Sequence, residues 1–199
     1  GKYLFSLLEK LTRNNNAGEY YLTDIVAFAD DLGLHCHVVE ADAAELAGIN
    51  TREQLAGAED VMQWRLRKKA MIGGATMVDP ASVFLRTDTK IAADVVIHPS
   101  VVFGAGVTVE SNVEIRSFSH IEGAHIKAGA IIGPFARLRT GSAVGENDHI
   151  GNFVELKNTK LGKGAKANHL SYVGDSDVGA GANIGAGTIT CNYDGINKY

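Results

Sequence analysis

The chain has 199 residues, of which 45% are hydrophobic, and its 19 basic and 23 acidic residues give a net charge of −4. Basic and acidic residues are interspersed, so no basic stripe for nucleic-acid binding is evident. No apolar run approaches the roughly 18 residues of a membrane span, and no signal peptide is recognisable. The only two cysteines, Cys36 and Cys191, are far apart in the sequence, which argues against a disulfide framework and favours a reducing cytoplasm.

Residues 1–50 contain helical and strand patterns but no repeat. Apolar spacing predicts one helix over residues 2–12 and a second over 24–32, and Thr23 is placed to cap the second. The segment 35–40, His-Cys-His-Val-Val-Glu, has the composition of a strand. These patterns predict a small α/β unit.

A long helix is predicted to follow, from about residue 51 to Met71. Asn50 or Thr51 can serve as its N-cap, and the apolar residues along it form only a partial stripe. Such a helix fits a half-exposed connecting arm better than a core helix. The expected organisation is residues 1–50 as one domain, 51–76 as a linker helix, and 77–199 as a repeat domain that is incomplete at its C-terminus.

Residues 91–195 repeat a six-residue pattern eighteen times, with three five-residue exceptions. Seventeen of the eighteen units begin with an apolar residue, and glycine holds the second position eight times. This period is typical of a parallel β-helix, in which each hexad is a short strand plus a turn. The leading residues are Ile91, Ile97, Phe103, Val109, Ile115, Ile121, Ile126, Ile132, Leu138, Val144, Ile150, Leu156, Leu161, Ala167, Val173, Val178, Ile184 and Thr190.

The three short units indicate how the coil closes. They are the sixth, twelfth and fifteenth, all multiples of three. If three hexads make one turn of a triangular prism, the short units all fall at the same corner. About six coils are then stacked at ~4.8 Å, and their flat outer faces lead us to expect a homotrimer.

The three-hexad register places Arg139 and Lys157 on one outer face, one coil apart. Like charges directly opposed on neighbouring strands repel. Two interpretations remain open: two solvated side chains that splay apart, or a pair that binds an anion such as a phosphate.

A second group of side chains is predicted beside this pair. Glu155 and Tyr172 stack at the corner next to Lys157, and His169 lies three residues before Tyr172. A carboxylate next to a histidine can orient a general base and stabilise its conjugate acid. From geometry alone, a surface histidine with no catalytic role is an equally good interpretation.

Four stretches of the repeat domain carry a family resemblance. They read IGPFARLR at 132–139, GNFVELK at 151–157, KANHLSYVGD at 166–175 and NIGAGTITCNYDG at 183–195. Together they closely resemble the bifunctional bacterial N-acetylglucosamine-1-phosphate uridylyltransferase/glucosamine-1-phosphate N-acetyltransferase family. Residues 14–24 and 48–50 resemble the end of that family's uridylyltransferase domain, so the resemblance covers essentially the whole chain. Thr140 departs from it, since the family commonly has proline there.

The resemblance implies a mainly-β fold: a left-handed parallel β-helix of hexapeptide repeats, preceded by an α/β remnant of a nucleotidyltransferase domain and a connecting helix. It also implies roles for matching residues. Arg139, Lys157 and Lys198 would bind the sugar phosphate, with Tyr172 and Asn183 contacting the substrate; His169 would be the general base, oriented by Glu155; Ala186, Asn192 and Tyr193 would contact acetyl-CoA; and Asn50 would be a ligand of Mg²⁺ and the uridine nucleotide.

The implied reaction is acetyl transfer from acetyl-CoA to glucosamine 1-phosphate by a cytoplasmic homotrimer. In a full-length protein, uridylyl transfer from UTP to N-acetylglucosamine 1-phosphate would then give UDP-N-acetylglucosamine for cell-wall precursor and lipopolysaccharide synthesis. The family's nucleotide-binding loop should precede Gly1 and later coils should follow Tyr199. We therefore expect no uridylyl transfer from this chain alone, and its acetyl-transfer site to be incomplete.

Two other interpretations compete with acetyl transfer. The repeat can serve only as a non-catalytic trimerising platform. Alternatively, a metal-dependent β-helix hydratase would need converging histidines, for which His98, His120 and His125 are the candidates. The 22 residues between His98 and His120 do not correspond to one coil, so these histidines are not expected to share a face.

Overall fold

The computed structural model describes residues 2–191, 193 and 195–197. The chain divides into two compact units, residues 1–47 and 48–199. None of the helices in the described residues is long and apolar enough to span a membrane.

The first unit contains two short helices, α1 (Leu4–Leu8) and α2 (Asp24–Asp31). The strand predicted over 35–40 is wrong: the segment has no regular structure, and Val38 and Val39 are 89% and 88% exposed. A strand needs a neighbour for its backbone N–H and C=O groups, and residues 2–47 contain no second strand to provide one.

The start of α2 also differs from the sequence prediction. Thr23 makes no side-chain capping bond, and its own backbone is helical, with φ −61° and ψ −24°. A capping residue normally takes an extended conformation, which turns its side-chain oxygen toward the first free N–H groups. The helical backbone of Thr23 therefore explains why the expected cap does not form.

The second unit begins with the long helix α3 (Arg52–Ile72). Of the two caps considered, Thr51 is the one observed, with an extended backbone. Its hydroxyl accepts the N–H of Gln54 at 3.1 Å, and the Gln54 side chain accepts the Thr51 N–H at 3.0 Å. This reciprocal capping box fixes the start of the helix.

Two buried polar side chains of α3 bind backbone groups of the first coil, beside the apolar Leu66, Ala70 and Met71, which pack against the core. Gln63 is 3% exposed; its amide donates to Leu85 O at 2.8 Å and accepts from Leu85 N at 2.9 Å. Arg67 Nε donates to Val83 O at 2.7 Å. The first coil has no coil before it, so these side chains satisfy backbone groups that a neighbouring strand satisfies elsewhere.

Replacing Gln63 with alanine should therefore destabilise the second unit. The change leaves the buried N–H and C=O of Leu85 unsatisfied, which costs about 1–3 kcal/mol of unfolding free energy. Urea unfolding followed by circular dichroism measures this loss. Lys68→Ala, at an exposed position of the same helix, is the matched control, and equal stability of the two variants would contradict the assigned role of Gln63.

Sixteen strands follow in the described residues, all of two residues except the nine-residue β12 and β14. They are β1 (Thr76–Met77), β2 (Lys90–Ile91), β3 (Val96–Ile97), β4 (Val102–Phe103), β5 (Thr108–Val109), β6 (Glu114–Ile115), β7 (His120–Ile121), β8 (His125–Ile126), β9 (Ile131–Ile132), β10 (Arg137–Leu138), β11 (Ala143–Val144), β12 (His149–Lys157), β13 (Lys160–Leu161), β14 (Lys166–Gly174), β15 (Asp177–Val178) and β16 (Asn183–Ile184). A 3₁₀ turn, Pro80–Ser82, separates β1 from β2.

The strands stack in parallel into three ladders, which form the faces of a prism. Face A contains β1, β3, β6, β9, the start of β12, the start of β14, and β16; face B contains β4, β7, β10, the end of β12 and the end of β14; face C contains β2, β5, β8, β11, β13 and β15. The long strands β12 and β14 run around the corner between faces A and B. The predicted left-handed parallel β-helix of hexapeptide repeats is confirmed.

The leading residues of the hexads form the core, as predicted. Fourteen of the eighteen are buried, and Ile91, Val178 and Ile184 are partly buried against them. The leading residues of the three short units, Ile121, Leu156 and Val173, stack on face B. The three shortened turns therefore share the corner that follows face B.

A row of exposed aromatic rings marks the corner between faces A and B. Phe118, Phe135 and Phe153 have φ of +62°, +57° and +56°, a left-handed conformation that is uncommon for bulky residues. Their ring centroids are 4.9 and 5.2 Å apart, and the rings are nearly parallel. The side chains remain 46–56% exposed. We call these three residues the aromatic ladder.

Candidate functional site

Arg139 and Lys157 lie side by side on the outside of face B. Leu138 and Leu156 pair in register and are fully buried, and Arg139 N donates to Leu156 O at 2.8 Å. Because side chains alternate along a strand, the residues after these two leucines point outward on neighbouring coils. The structure thus places the two cations one coil apart.

Each cation has a carboxylate partner. Arg139 Nη1 lies 3.0 Å from Glu155 Oε1, and Lys157 Nζ lies 2.8 Å from Asp175 Oδ2. All four side chains are partly exposed, and such ion pairs contribute only about 0–1 kcal/mol. The carboxylates reduce the repulsion between the cations, and these weak pairs can rearrange when a stronger anion such as a phosphate binds.

Tyr172 completes this group of side chains. It pairs in register with Glu155, while Gly174 pairs with Lys157. A Cβ added at Gly174 would lie only 2.5 Å from the Tyr172 hydroxyl, so the tyrosine side chain occupies the space left by the missing side chain. Because Gly174 is the register partner of Lys157, the Tyr172 phenol comes to lie next to Lys157.

His169 lies at the corner between faces A and B and is exposed. Its Nδ1 is 2.8 Å from Asn152 Oδ1, and the two residues are register partners in the β12–β14 pairing. Both side chains border a groove of about 210 Å³. The lining of the groove is Arg116, Gly133, Pro134, His149, Gly151, Asn152, Asn168 and His169.

The structure does not bring Glu155 to His169, which corrects the expected pairing. Glu155 lies opposite Tyr172 and its carboxylate binds Arg139, whereas His169 lies opposite Asn152. The chain turns the corner at Phe153, with φ +56°, between the two positions. The neutral amide of Asn152 is therefore the hydrogen-bond partner of the histidine.

His149, in the lining of the groove, is influenced by two nearby cations. Burial lowers the pKa of His149, and the charges of Arg116 and Lys166 lower it further. The Arg116 guanidinium hydrogen-bonds Glu114, with Nε 3.1 Å from Oε1, and holds the pKa of that carboxyl below its usual value. The charge of Arg116 in the groove is therefore largely balanced by Glu114.

Asp148 fixes the turn that leads into β12. Its carboxylate is 1% exposed and accepts the N–H groups of Gly145 at 2.6 Å and Ala165 at 2.8 Å. Burial raises the pKa of this carboxyl. The Gly145 bond closes the turn and the Ala165 bond connects it to the next coil, so both help to hold the strand that carries Asn152.

The remaining predicted contacts are spread along the last coils. Asn183 pairs with Lys166 on face A and is exposed, as is Ala186. Tyr193 is exposed, and its hydroxyl donates to Gly195 O at 2.7 Å. Asn192 and Lys198 lie outside the described residues. Within this chain, Asn183 is therefore on a different face from Arg139.

Asn50 alone does not make a magnesium site. It is exposed, and its N–H donates to the Gln54 side chain. Mg²⁺ prefers six oxygen ligands, commonly including one or two carboxylates, and the described residues contain no cluster of three or more His, Cys, Asp or Glu that could hold a metal ion. The residues present do not fit Mg²⁺ on their own.

The three histidines considered for a hydratase lie on three different faces. His98 follows β3 on face A, His120 lies in β7 on face B, and His125 lies in β8 on face C. His98 and His125 contact glutamates, at 3.2 and 2.8 Å. No observation on these residues favours a shared metal.

Comparison with known proteins gives consistent results. Residues 88–123 match the family model described as bacterial transferase hexapeptide (six repeats). The whole chain is 59% identical over 198 residues to a protein of Paramagnetospirillum magneticum, and 98% of it is 56% identical to one of Azorhizobium caulinodans, both named Bifunctional protein GlmU. The chain spans less than half of these relatives, 44% and 43% of their lengths.

One solved structure supports the fold. It is a hexapeptide transferase family protein from Anaplasma phagocytophilum, with a TM-score of 0.52 and 17% sequence identity, and the match covers 58% of this chain and 72% of that one. At this identity the likeness shows a shared β-helix and nothing further.

Proposed function

We propose that this chain, which belongs to the family of proteins named Bifunctional protein GlmU, carries most of a glucosamine-1-phosphate N-acetyltransferase site. The observation that supports this best is the stacking of Arg139 on Lys157 on face B, with Tyr172 beside them. Two cations one coil apart match the charge of a phosphate monoester. The nearby exposed His169 provides a base for the sugar amine.

In the proposed reaction, Arg139 and Lys157 bind the phosphate and so fix the position of the amine, which is a contribution of proximity. His169 removes a proton from the ammonium group, and the neutral amine attacks the thioester carbonyl of acetyl-CoA. A C–N bond forms and the C–S bond breaks; the second proton that the nitrogen loses on becoming an amide is taken up by the departing thiolate, so coenzyme A leaves as its thiol. An imidazole titrates near neutral pH and suits this step.

The proposed acetyl-CoA contacts are Ala186, Asn192 and Tyr193, and the proposed further substrate contacts are Asn183 and Lys198. Glu155, expected to orient the base, is assigned instead to holding Arg139, because its carboxylate lies 3.0 Å from that guanidinium. Its role is thus to keep the phosphate-binding side chain in place.

The direct test is an acetyl-transfer assay on the longer protein that contains this chain. Glucosamine 1-phosphate and acetyl-CoA should give free thiol and an N-acetylated sugar phosphate, whereas glucosamine without the phosphate should react poorly because it cannot use the two cations. Equal rates for the two sugars would contradict the phosphate-binding role. No acetylation of either would favour the non-catalytic platform.

We further propose a homotrimer. The aromatic ladder exposes three stacked rings next to the groove that contains His169, and contiguous exposed apolar surface commonly marks an association site. A second copy seated there would bring its own side chains toward the groove. This arrangement would join groups that one chain holds on separate faces, such as Asn183 and Arg139.

Phe135→Glu should weaken this association, since it places a charge in the middle of the aromatic ladder. Light scattering coupled to size exclusion should show a shift from trimer toward monomer. Asn112→Glu is the matched control, because Asn112 is also exposed and has a φ of +58° at another corner. A trimer unchanged by Phe135→Glu would place the interface elsewhere.

Uridylyl transfer is proposed only for the longer protein. There, UTP and N-acetylglucosamine 1-phosphate would give UDP-N-acetylglucosamine for cell-wall precursor and lipopolysaccharide synthesis in the cytoplasm, with Mg²⁺ at the nucleotide site. Asn50 is the single residue of this chain proposed to take part, and we expect no such activity from the chain alone.

A further inference from the structure

We infer that Asn152 is the positioning residue of His169: its side-chain oxygen accepts the Nδ1 proton and so leaves the Nε2 lone pair as the base. This inference rests on the proposed acetyl transfer. The distance from Asn152 Oδ1 to His169 Nδ1 is 2.8 Å. An acceptor on one ring nitrogen decides which tautomer the neutral imidazole adopts.

The backbone around this pair is well restrained. Asn152 and His169 are direct register partners near the middle of the nine-residue strands β12 and β14, the two longest in the described residues. Paired positions flank them on both sides: Ile150 with Ala167, and Val154 with Ser171. Asn152 is itself half-buried. The amide is thus carried by a rigid part of the β-helix, as a group that orients a base should be.

The hydrogen-bond partner of His169 is the uncharged amide of Asn152. A carboxylate would stabilise the protonated imidazolium, as in the Asp–His pairs of serine hydrolases, whereas an amide orients the ring without adding negative charge. The other charged or titratable groups near the histidine are Arg116, His149 and Lys166, with Glu114 bound to Arg116. The amide of Asn152 therefore holds the ring through one hydrogen bond and adds no negative charge that would favour the imidazolium.

Asn152→Asp and Asn152→Ala separate the two parts of this role in the longer, full-length protein. Asn152→Ala removes the acceptor and should lower kcat by about 10-fold to 100-fold, with KM for glucosamine 1-phosphate nearly unchanged. Asn152→Asp keeps the acceptor but adds a negative charge. Its rate should recover at high pH, with the ascending limb of the kcat/KM profile moved up by about one pH unit.

Glu155→Gln is the matched control, because Glu155 was the alternative partner. It should raise KM through the loss of the bond to Arg139 and leave the ascending limb where it is in the wild type. A limb that moves in Glu155→Gln and not in Asn152→Asp would overturn the inference. Circular dichroism of each variant verifies that the β-helix is intact.

A second readout keeps this inference separate from the proposed function. Nitrogen-15 NMR of the His169 ring should show the Nδ1-protonated tautomer in the wild type and a mixture dominated by the Nε2-protonated form in Asn152→Ala. If acetyl transfer proved absent, this tautomer change would still establish the orientation by Asn152. An Nε2-protonated ring in the wild type would overturn it whatever the activity.

Discussion

His169→Ala should abolish most acetyl transfer while leaving the binding of glucosamine 1-phosphate intact. The histidine is exposed at the edge of the groove and contacts Asn152, not the cations of face B. Its loss therefore removes the base without disturbing the phosphate contacts. Positioned general bases contribute about 10²-fold to 10⁴-fold to a rate, so kcat should fall within that range.

The measurement is steady-state thiol release from acetyl-CoA by the longer protein. His125→Ala is the matched control: it removes an exposed histidine that bonds Glu110 at 2.8 Å on face C, away from the proposed site, and it should retain wild-type turnover. Unchanged turnover in His169→Ala would exclude the histidine as the base.

Arg139→Ala should mainly weaken the binding of glucosamine 1-phosphate. The change removes one of two stacked cations and also frees the carboxylate of Glu155, which then repels the phosphate. A hydrogen bond to a charged group contributes about 1.5–3 kcal/mol, so KM should rise by about tenfold to a hundredfold. The effect on kcat should be much smaller.

The double variant Arg139→Ala/Glu155→Gln tests the second part of this explanation. Removing the freed carboxylate should recover part of the lost affinity, which gives a non-additive result in the double-mutant cycle. Lys160→Ala, which removes an exposed cation on face C, is the control with an unchanged KM. An unaltered KM in Arg139→Ala would count against the phosphate-binding pair.

The fold of residues 91–195 was predictable because the same six-residue pattern repeats along the whole domain. The leading residues supply most of the large side chains of the buried core, and the short units define the corner. The same register predicted that Arg139 stacks on Lys157, since backbone spacing alone decides this. Asp175 was accessible to the same reasoning, because it directly follows Gly174, the register partner of Lys157 on the next coil.

The partner of His169 was harder to predict, because a corner changes the direction of side chains. Glu155 lies on the coil next to that of His169, yet its register partner is Tyr172. Asn152 lies 17 residues before His169, which is one shortened coil, so counting from the histidine itself would have found it. The resemblance implied Glu155 as the group that orients His169, whereas the register places Asn152 opposite the histidine.

Helix α3 and the segment 35–40 show the limits of local patterns. Polar residues are rarely buried, so nothing local indicated that Gln63 and Arg67, not the apolar Leu55, would pack inward. Gln63 and Arg67 are buried because their side chains hydrogen-bond to backbone groups of the first coil. Similarly, a strand-like composition forms a strand only where a neighbouring strand is present to pair with it.

The measurement that tests the central claim most directly is calorimetric titration of glucosamine 1-phosphate into the longer protein and its Lys157→Ala variant. If Arg139 and Lys157 together bind the phosphate, the wild type should bind one sugar phosphate per chain, and Lys157→Ala should bind it about tenfold more weakly or worse. No binding to the wild type, or equal affinity in the variant, would contradict the phosphate site on face B.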